Sequence, residues 1–202
     1  MFCVSRIFKP AGLALVLAAT ASGAFAASEA SMRTGALTSQ PIGHYEFCKA
    51  LPKECAIRSH DAAPAKMSRE FWRLVLNVNQ TANSSIKPMT DMEIYGKEEF
   101  WAYPKTVGDC EDYVLLKRHL LMQAGISPAN LLITVVRKQD GEGHAVLTVR
   151  TNNGDYILDN LIDEVVAWTD TDYTYLKRQS TGHTGRWVTI ETPADLLVGS
   201  VQ

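Results

Sequence analysis

Five residues, Gly108-Asp109-Cys110-Glu111-Asp112, stand at the head of a long apolar run and constrain this chain more than any other segment. Val114, Leu115, Leu116, Leu120, Leu121 and Met122 cover a wide arc at helical spacing, which places the segment in the middle of a domain. Asp109 is a good N-cap, Gly125 is a stop signal, and Pro128 follows it, so the helix is expected to end near Ala124. His144 and Asp159 come later, each on a strand-like stretch. A cysteine at a helix N-terminus, a histidine and an acid are the parts of a thiol nucleophile with its base and orienting group.

The pattern around this helix predicts an α+β fold, helices first and an antiparallel sheet second. Phe71, Leu74, Val75 and Val78 mark one face of an earlier helix, capped by Ser68 and running to about Ala82. Residues 83–107 hold several aromatics and two prolines and read as an ordered loop region with one short helix. Leu131 to Arg137, His144 to Arg150 and Tyr156 to Leu158 form three strand-like runs. Asp140-Gly141 and Asn153-Gly154 are turn signals between them, so the three predict a meander. Tyr173 to Arg178 and Trp187 to Ile190 add two strands, while Asp163 to Trp168 is ambiguous. Counting outward from Asn153-Gly154 sets Asp159 near residue 148 and His144 near residue 163. A bulge, a longer turn or a diagonal approach is then needed to bring His144 and Asp159 together.

The first 26 residues read as a secretory signal: Arg6 and Lys9, an apolar run from Ala11 to Ala21, and Ala24-Phe25-Ala26 as a small-x-small cleavage site. The apolar run is too short to span a bilayer, so no membrane span remains after cleavage and the mature chain is expected to be periplasmic or secreted. Loss of Arg6 and Lys9 takes the formal charge from −2 to −4, and no basic block remains, which argues against nucleic-acid binding. Residues 27–43 are rich in Ala, Ser, Thr and Gly and are expected to form a flexible arm, with the folded domain spanning 44–202. In an oxidising compartment Cys48 and Cys55 are natural disulfide partners, and a ring of that size contributes about 2–3 kcal/mol by loop closure. Cys110 is then the odd thiol.

Asp109, Glu111 and Asp112 put three acids around Cys110, which disfavours its thiolate. They serve as first-turn capping acids, or else their oxygens hold a cation. Calcium is the expected ion, being hard and plentiful outside the cytoplasm, whereas no Cys/His cluster has zinc-ligand spacing. Each catalytic candidate also has a structural reading: Cys110 as a core thiol, His144 as a strand histidine, Asp159-Asn160 as a turn pair. Lys117-Arg118-His119 reads as the solvated face of the helix, and His44, His60 and His183 fall in loops.

Gly-Asp-Cys-Glu-Asp-Tyr at 108–113, Gly-His-Ala-Val-Leu at 143–147 and Leu-Asp-Asn at 158–160 together resemble the bacterial transglutaminase-like cysteine proteinases. Asn77-Val78-Asn79, Tyr95-Gly96, Trp101 and the Cys48–Cys55 pair are similar to that family too, so the resemblance runs from about Cys48 to Trp187. It implies a papain/transglutaminase-like fold and a Cys110–His144–Asp159 triad hydrolysing a protein substrate. It also implies calcium at Asp109 and Glu111, with Asp112 a weaker ligand. Family members of the periplasmic type clip surface adhesins and are sequestered by an inner-membrane cyclic di-GMP receptor, and both relationships become expectations for this chain. A transglutaminase-type acyl transferase and a non-catalytic calcium-binding protein are the alternatives.

Overall fold

The computed structural model describes residues 30–191, so the expected signal segment lies outside the described residues. In chain order the elements are β1 (Thr34–Thr38), α1 (Ile42–Ala50), α2 (Pro52–Cys55), α3 (Arg69–Ser85), β2 (Lys87–Pro88), α4 (Asp91–Tyr95), β3 (Val107–Gly108) and α5 (Cys110–Gln123). Then follow β4 (Leu131–Arg137), β5 (Gly143–Thr151), β6 (Gly154–Leu158), β7 (Val166–Ala167), β8 (Thr174–Ser180) and β9 (His183–Ile190). Seven strands make one sheet in the order β1-β9-β8-β4-β5-β6-β7, every neighbouring pair antiparallel. The expected β4-β5-β6 meander forms its centre, and α5 packs across it as the α+β reading requires.

Alternation along the strands divides the core in two. Ile133, Ala145, Leu147, Val149 and Leu158 pack with Val114, Leu115 and Leu121 of α5 and with Val75 and Val78 of α3. On the other face, Val136, Val146, Ile157 and Tyr175 pack with Met32. Ser68 caps α3 by accepting from the Phe71 N–H, and Gly125 takes φ +90° just past the α5 terminus, a conformation that favours glycine. The Tyr113 hydroxyl donates to the Ile86 carbonyl (2.6 Å), tying α5 to the end of α3. The Cys48–Cys55 disulfide closes α1 onto α2.

Three expectations fail here for physical reasons. The flexible arm is a strand from Thr34 onward, because β1 completes the ladder of the β9 edge, and α1 begins at Ile42, before residue 44. His44 lies in α1 and is buried between Trp101 and Trp187, with burial holding its pKa down to about 4. The Lys117-Arg118 stretch of α5 faces the interior: Lys117 is 0 % exposed, and the Arg118 Nε donates to the Leu131 carbonyl at 3.1 Å. Long alkyl stems let both side chains pass as core residues at the cost of a buried charge.

Burial lowers the Lys117 pKa to about 7 from its ordinary 10.5, against the pull of Asp159 and Asp163. Folding therefore sheds a proton between those values, and the cost of the buried ammonium is full below pH 7 and fades as pH rises towards 10.5. Replacing Lys117 with Met is expected to stabilise the fold by about 1–3 kcal/mol at pH 6 and by less at pH 9 in urea unfolding.

Candidate active site

The site is assembled where the N-terminus of α5 meets the edge of β5. Gly108 is required by close packing: a Cβ there would lie 2.8 Å from both Cβ and Oδ2 of Asp112. That approach lets Asp112 turn back and accept the Ala102 N–H at 2.9 Å. Asp109 holds the N-cap position of α5 without capping it. Its carboxylate instead accepts the N–H of Asp91 at 3.3 Å, eighteen residues upstream.

Asp91 arrives there through backbone pairing. The short parallel pair β2–β3 aligns Lys87 with Val107 and Pro88 with Gly108, and the Met89 N–H donates to the Gly108 carbonyl at 3.0 Å. Thr90 and Glu93 form a reciprocal capping box, which starts α4 with Asp91 in its first turn. Asp91 also accepts from the Phe100 N–H. The Thr-x-x-Glu pattern at 90–93 signals this helix start in the sequence, but nothing local in it announces a ligand position.

Asp91, Asp109 and Glu111 thus offer carboxylate oxygens all within 4.8 Å of one another. Burial followed by the Asp109 charge raises Glu111 to about 9, and burial raises Asp112 to about 7 and lifts Asp109 from its ordinary value. One oxygen each of Asp91, Asp109 and Asp112 is buried with no hydrogen-bond partner among the described residues. Clustered carboxylates, two of which carry an orphaned buried oxygen, are the donor set of a hard divalent cation, so the residues fit calcium. Asp91 was absent from the sequence-based ligand set, and it is a better member of the cluster than Asp112, whose orphan oxygen lies outside it.

Cys110 is the described free cysteine and is partly exposed. Its thiol donates to the Glu111 carboxylate at 3.1 Å. Burial, then the Glu111 charge, push the thiol well above its ordinary pKa, while the Ala145 N–H pulls the other way. His144, second residue of β5, places Nε2 2.8 Å from Asp159 Oδ1. A carboxylate can only accept, so Nε2 carries the proton and Nδ1 is the nitrogen left as base.

The β5–β6 register explains the His144–Asp159 pair. Thr151 pairs with Gly154 around a tight turn at Asn152-Asn153, and Leu147 pairs with Leu158. The turn therefore sits one residue earlier than the sequence suggested, because Gly154 at φ +123° belongs to the strand. One further residue brings Asp159 beside Val146, diagonal to His144 on the same face, so the diagonal route is the one taken. Asp159 Oδ2 also accepts the Tyr173 hydroxyl at 2.6 Å and Oδ1 the Leu161 N–H at 3.0 Å. Burial opposes the Asp159 charge, but the His144, Tyr173 and Leu161 interactions outweigh it and lower the Asp159 pKa. Tyr173 carried no signal for this role beyond its strand context.

Cys110 and His144 line one cleft of about 400 Å³ together with Asp109, Met89, Asn160 and Leu161. A thiol, a base with an oriented tautomer and helix N-terminal N–H groups in one cleft are the apparatus of acyl transfer through a thioester.

The chain belongs to the bacterial transglutaminase-like cysteine proteinases, whose family model matches residues 34–195, and it is a cysteine peptidase. Among solved structures it is similar to Legionella pneumophila LapG at 25% identity, covering 58% of this chain and 68% of that one with a TM-score of 0.50. The calcium-bound form of LapG matches at 22% identity over 68% of this chain and 83% of that one, TM-score 0.52. The EGTA-treated form matches at 23% identity over 62% and 74%, TM-score 0.50. A search of the curated proteins by sequence found no match.

Without a cation the raised acids gain protons on folding. Their contribution to stability is full below the ordinary carboxylate range and is lost as pH rises through about 7 for Asp112 and about 9 for Glu111. Calcium chloride in place of EGTA should therefore raise the melting temperature more at pH 8 than at pH 5, and Asp91→Asn should shrink that gain. Equal melting curves with and without calcium at both pH values would contradict the site.

Proposed function

We propose that this peptidase is exported and hydrolyses a peptide bond of a protein substrate through Cys110, His144 and Asp159, with calcium held by Asp91, Asp109 and Glu111. The observation that carries this reading is the 2.8 Å hydrogen bond that buried Asp159 accepts from His144, which lines the same cleft as the free cysteine at the head of α5. A histidine satisfied for packing alone needs neither a buried, ionised partner nor a cleft.

In acylation the Cys110 proton passes to His144 Nδ1 and the sulfur attacks the scissile carbonyl carbon. The Cys110 backbone N–H, free of an intrahelical acceptor at the start of α5, donates to the developing oxyanion. Collapse breaks the C–N bond as His144 returns its proton to the leaving amine, leaving a thioester. His144 then takes a proton from water, the hydroxide adds to the carbonyl, and the C–S bond breaks to release the acid and restore the thiol. Asp159 holds the Nε2 proton and the plane of the ring throughout. Calcium, when bound, supplies positive charge that offsets the repulsion among the three acids beside the thiol.

The expectation of an adhesin substrate, periplasmic location and sequestration by a membrane receptor rests on membership of the family, and the disulfide fits an oxidising compartment. No described helix is long and apolar enough to cross a membrane. The transferase alternative shares the thioester and differs in whether an amine intercepts it.

The test is digestion of a bacterial surface-protein extract with calcium present, new peptide termini being read by mass spectrometry beside a labelled-amine arm. Cleavage without amine incorporation is expected. Cys110→Ala should abolish it, and Asp159→Asn should slow it by about 10²–10⁴-fold. Cleavage that survives Cys110→Ala would overturn the proposal.

A further inference from the structure

Asp159 lies one residue beyond the last ladder position of β6, so the sheet does not fix it. His144, Tyr173 and Leu161 hold its carboxylate, whereas its backbone is held from α3. The Asn83 amide donates to the carbonyl of Asp159 at 3.0 Å, to that of Ile162 at 3.3 Å, and to the carboxylate of Asp163 at 2.9 Å. One turn earlier, Asn79 donates to the Asp163 carbonyl at 2.9 Å. The two asparagines are four apart and share a helix face. Asn79 is wholly buried beside Val75, Val78 and Ala82, a position at which a polar side chain is costly unless it is bonded. The turn from Asp159 to Asp163 is thus held from behind, while Asn160 and Leu161 line the cleft in front.

Resting on the triad reading above, we infer that Asn83, seconded by Asn79, is a positioning residue: it holds the Asp159 turn where the carboxylate meets His144. The acid of a Cys-His-Asp set works by geometry, since a shift of an ångström removes the tautomer and orientation it enforces. The charged and titratable groups facing Asp159 are His144 from β5, Tyr173 just before β8, Tyr175 within β8, and Lys117 from α5, which also faces Asp163. None of these bonds the Asp159 backbone, so none substitutes for Asn83.

The experiment is carbamidomethylation of Cys110 by iodoacetamide across pH in calcium, read by mass spectrometry, which needs no substrate. The wild-type chain is expected to label with an apparent pKa well below about 8.5, the free-thiol value. Asn83→Ala should move the profile up towards 8.5 and slow labelling at pH 7 by at least about tenfold. Hydrogen exchange at the Leu161 N–H should quicken while the β4 and β5 amides hold. Ser84→Ala, an exposed neighbour on α3, should leave the profile unchanged. If Asn83→Ala does not fold, Asn83→Asp keeps the volume but loses the donor, and the same shift is expected. A folded variant that keeps the wild-type profile overturns the positioning role and leaves the triad standing. An ordinary thiol profile in the wild-type chain overturns the triad, and this inference with it.

Discussion

Three carboxylates held together beside one thiol are the constraint on which the rest of the site depends. Asp91, Asp109 and Glu111 repel one another in a place that is poorly solvated, and each is brought there by backbone that has other reasons to be where it is. The parallel β2–β3 pair, the α4 capping box and the N-terminus of α5 converge on the cluster. Without a cation the cluster is relieved by protons, and Glu111 instead accepts the hydrogen of Cys110, which keeps the sulfur neutral. On the proposed reading, the same acids that would hold a divalent ion disfavour the Cys110 thiolate in its absence. That coupling is local, since Cys110 sits between two of the three acids in the chain.

The second half of the apparatus is built on the sheet and is independent of the first. The β5–β6 hairpin directs His144 and Asp159 to one face, and the Tyr173 hydroxyl and Asn83 amide hold Asp159 there. The core on the opposite face, Ala145, Leu147 and Val149 against α5, fixes the helix relative to β5. Burial thus seats α5 against the sheet, while hydrogen bonds order the orientation of the base.

Much of this was legible in the sequence, because the relevant signals are local. Gly125 after an apolar helix, Ser68 before one, the β-branched apolar run of β4, the alternating run at His144 to Arg150, and the Cys48–Cys55 spacing each carry their own physical cause. What was not legible depends on distant partners. β1 has the composition of a loop and is a strand only because the β9 edge is there to pair with. Asp91 joins the acids through two residues of parallel pairing that no periodicity marks. Lys117 and Arg118 look solvated until the width of the α5 burial is known. The hairpin register slipped because Asn-Gly invites a turn, whereas Asn152-Asn153 makes it and Gly154 begins the strand.

On the proposed reading, cation binding at the acids releases the thiol to the base. It is tested most directly by the rate of Cys110 alkylation at pH 7 in calcium and in EGTA, with Glu111→Gln as the reference. Fast labelling in calcium, slow labelling in EGTA and a rate in Glu111→Gln that no longer depends on calcium are the predicted results. Equal rates for the wild-type chain in calcium and in EGTA would contradict the account.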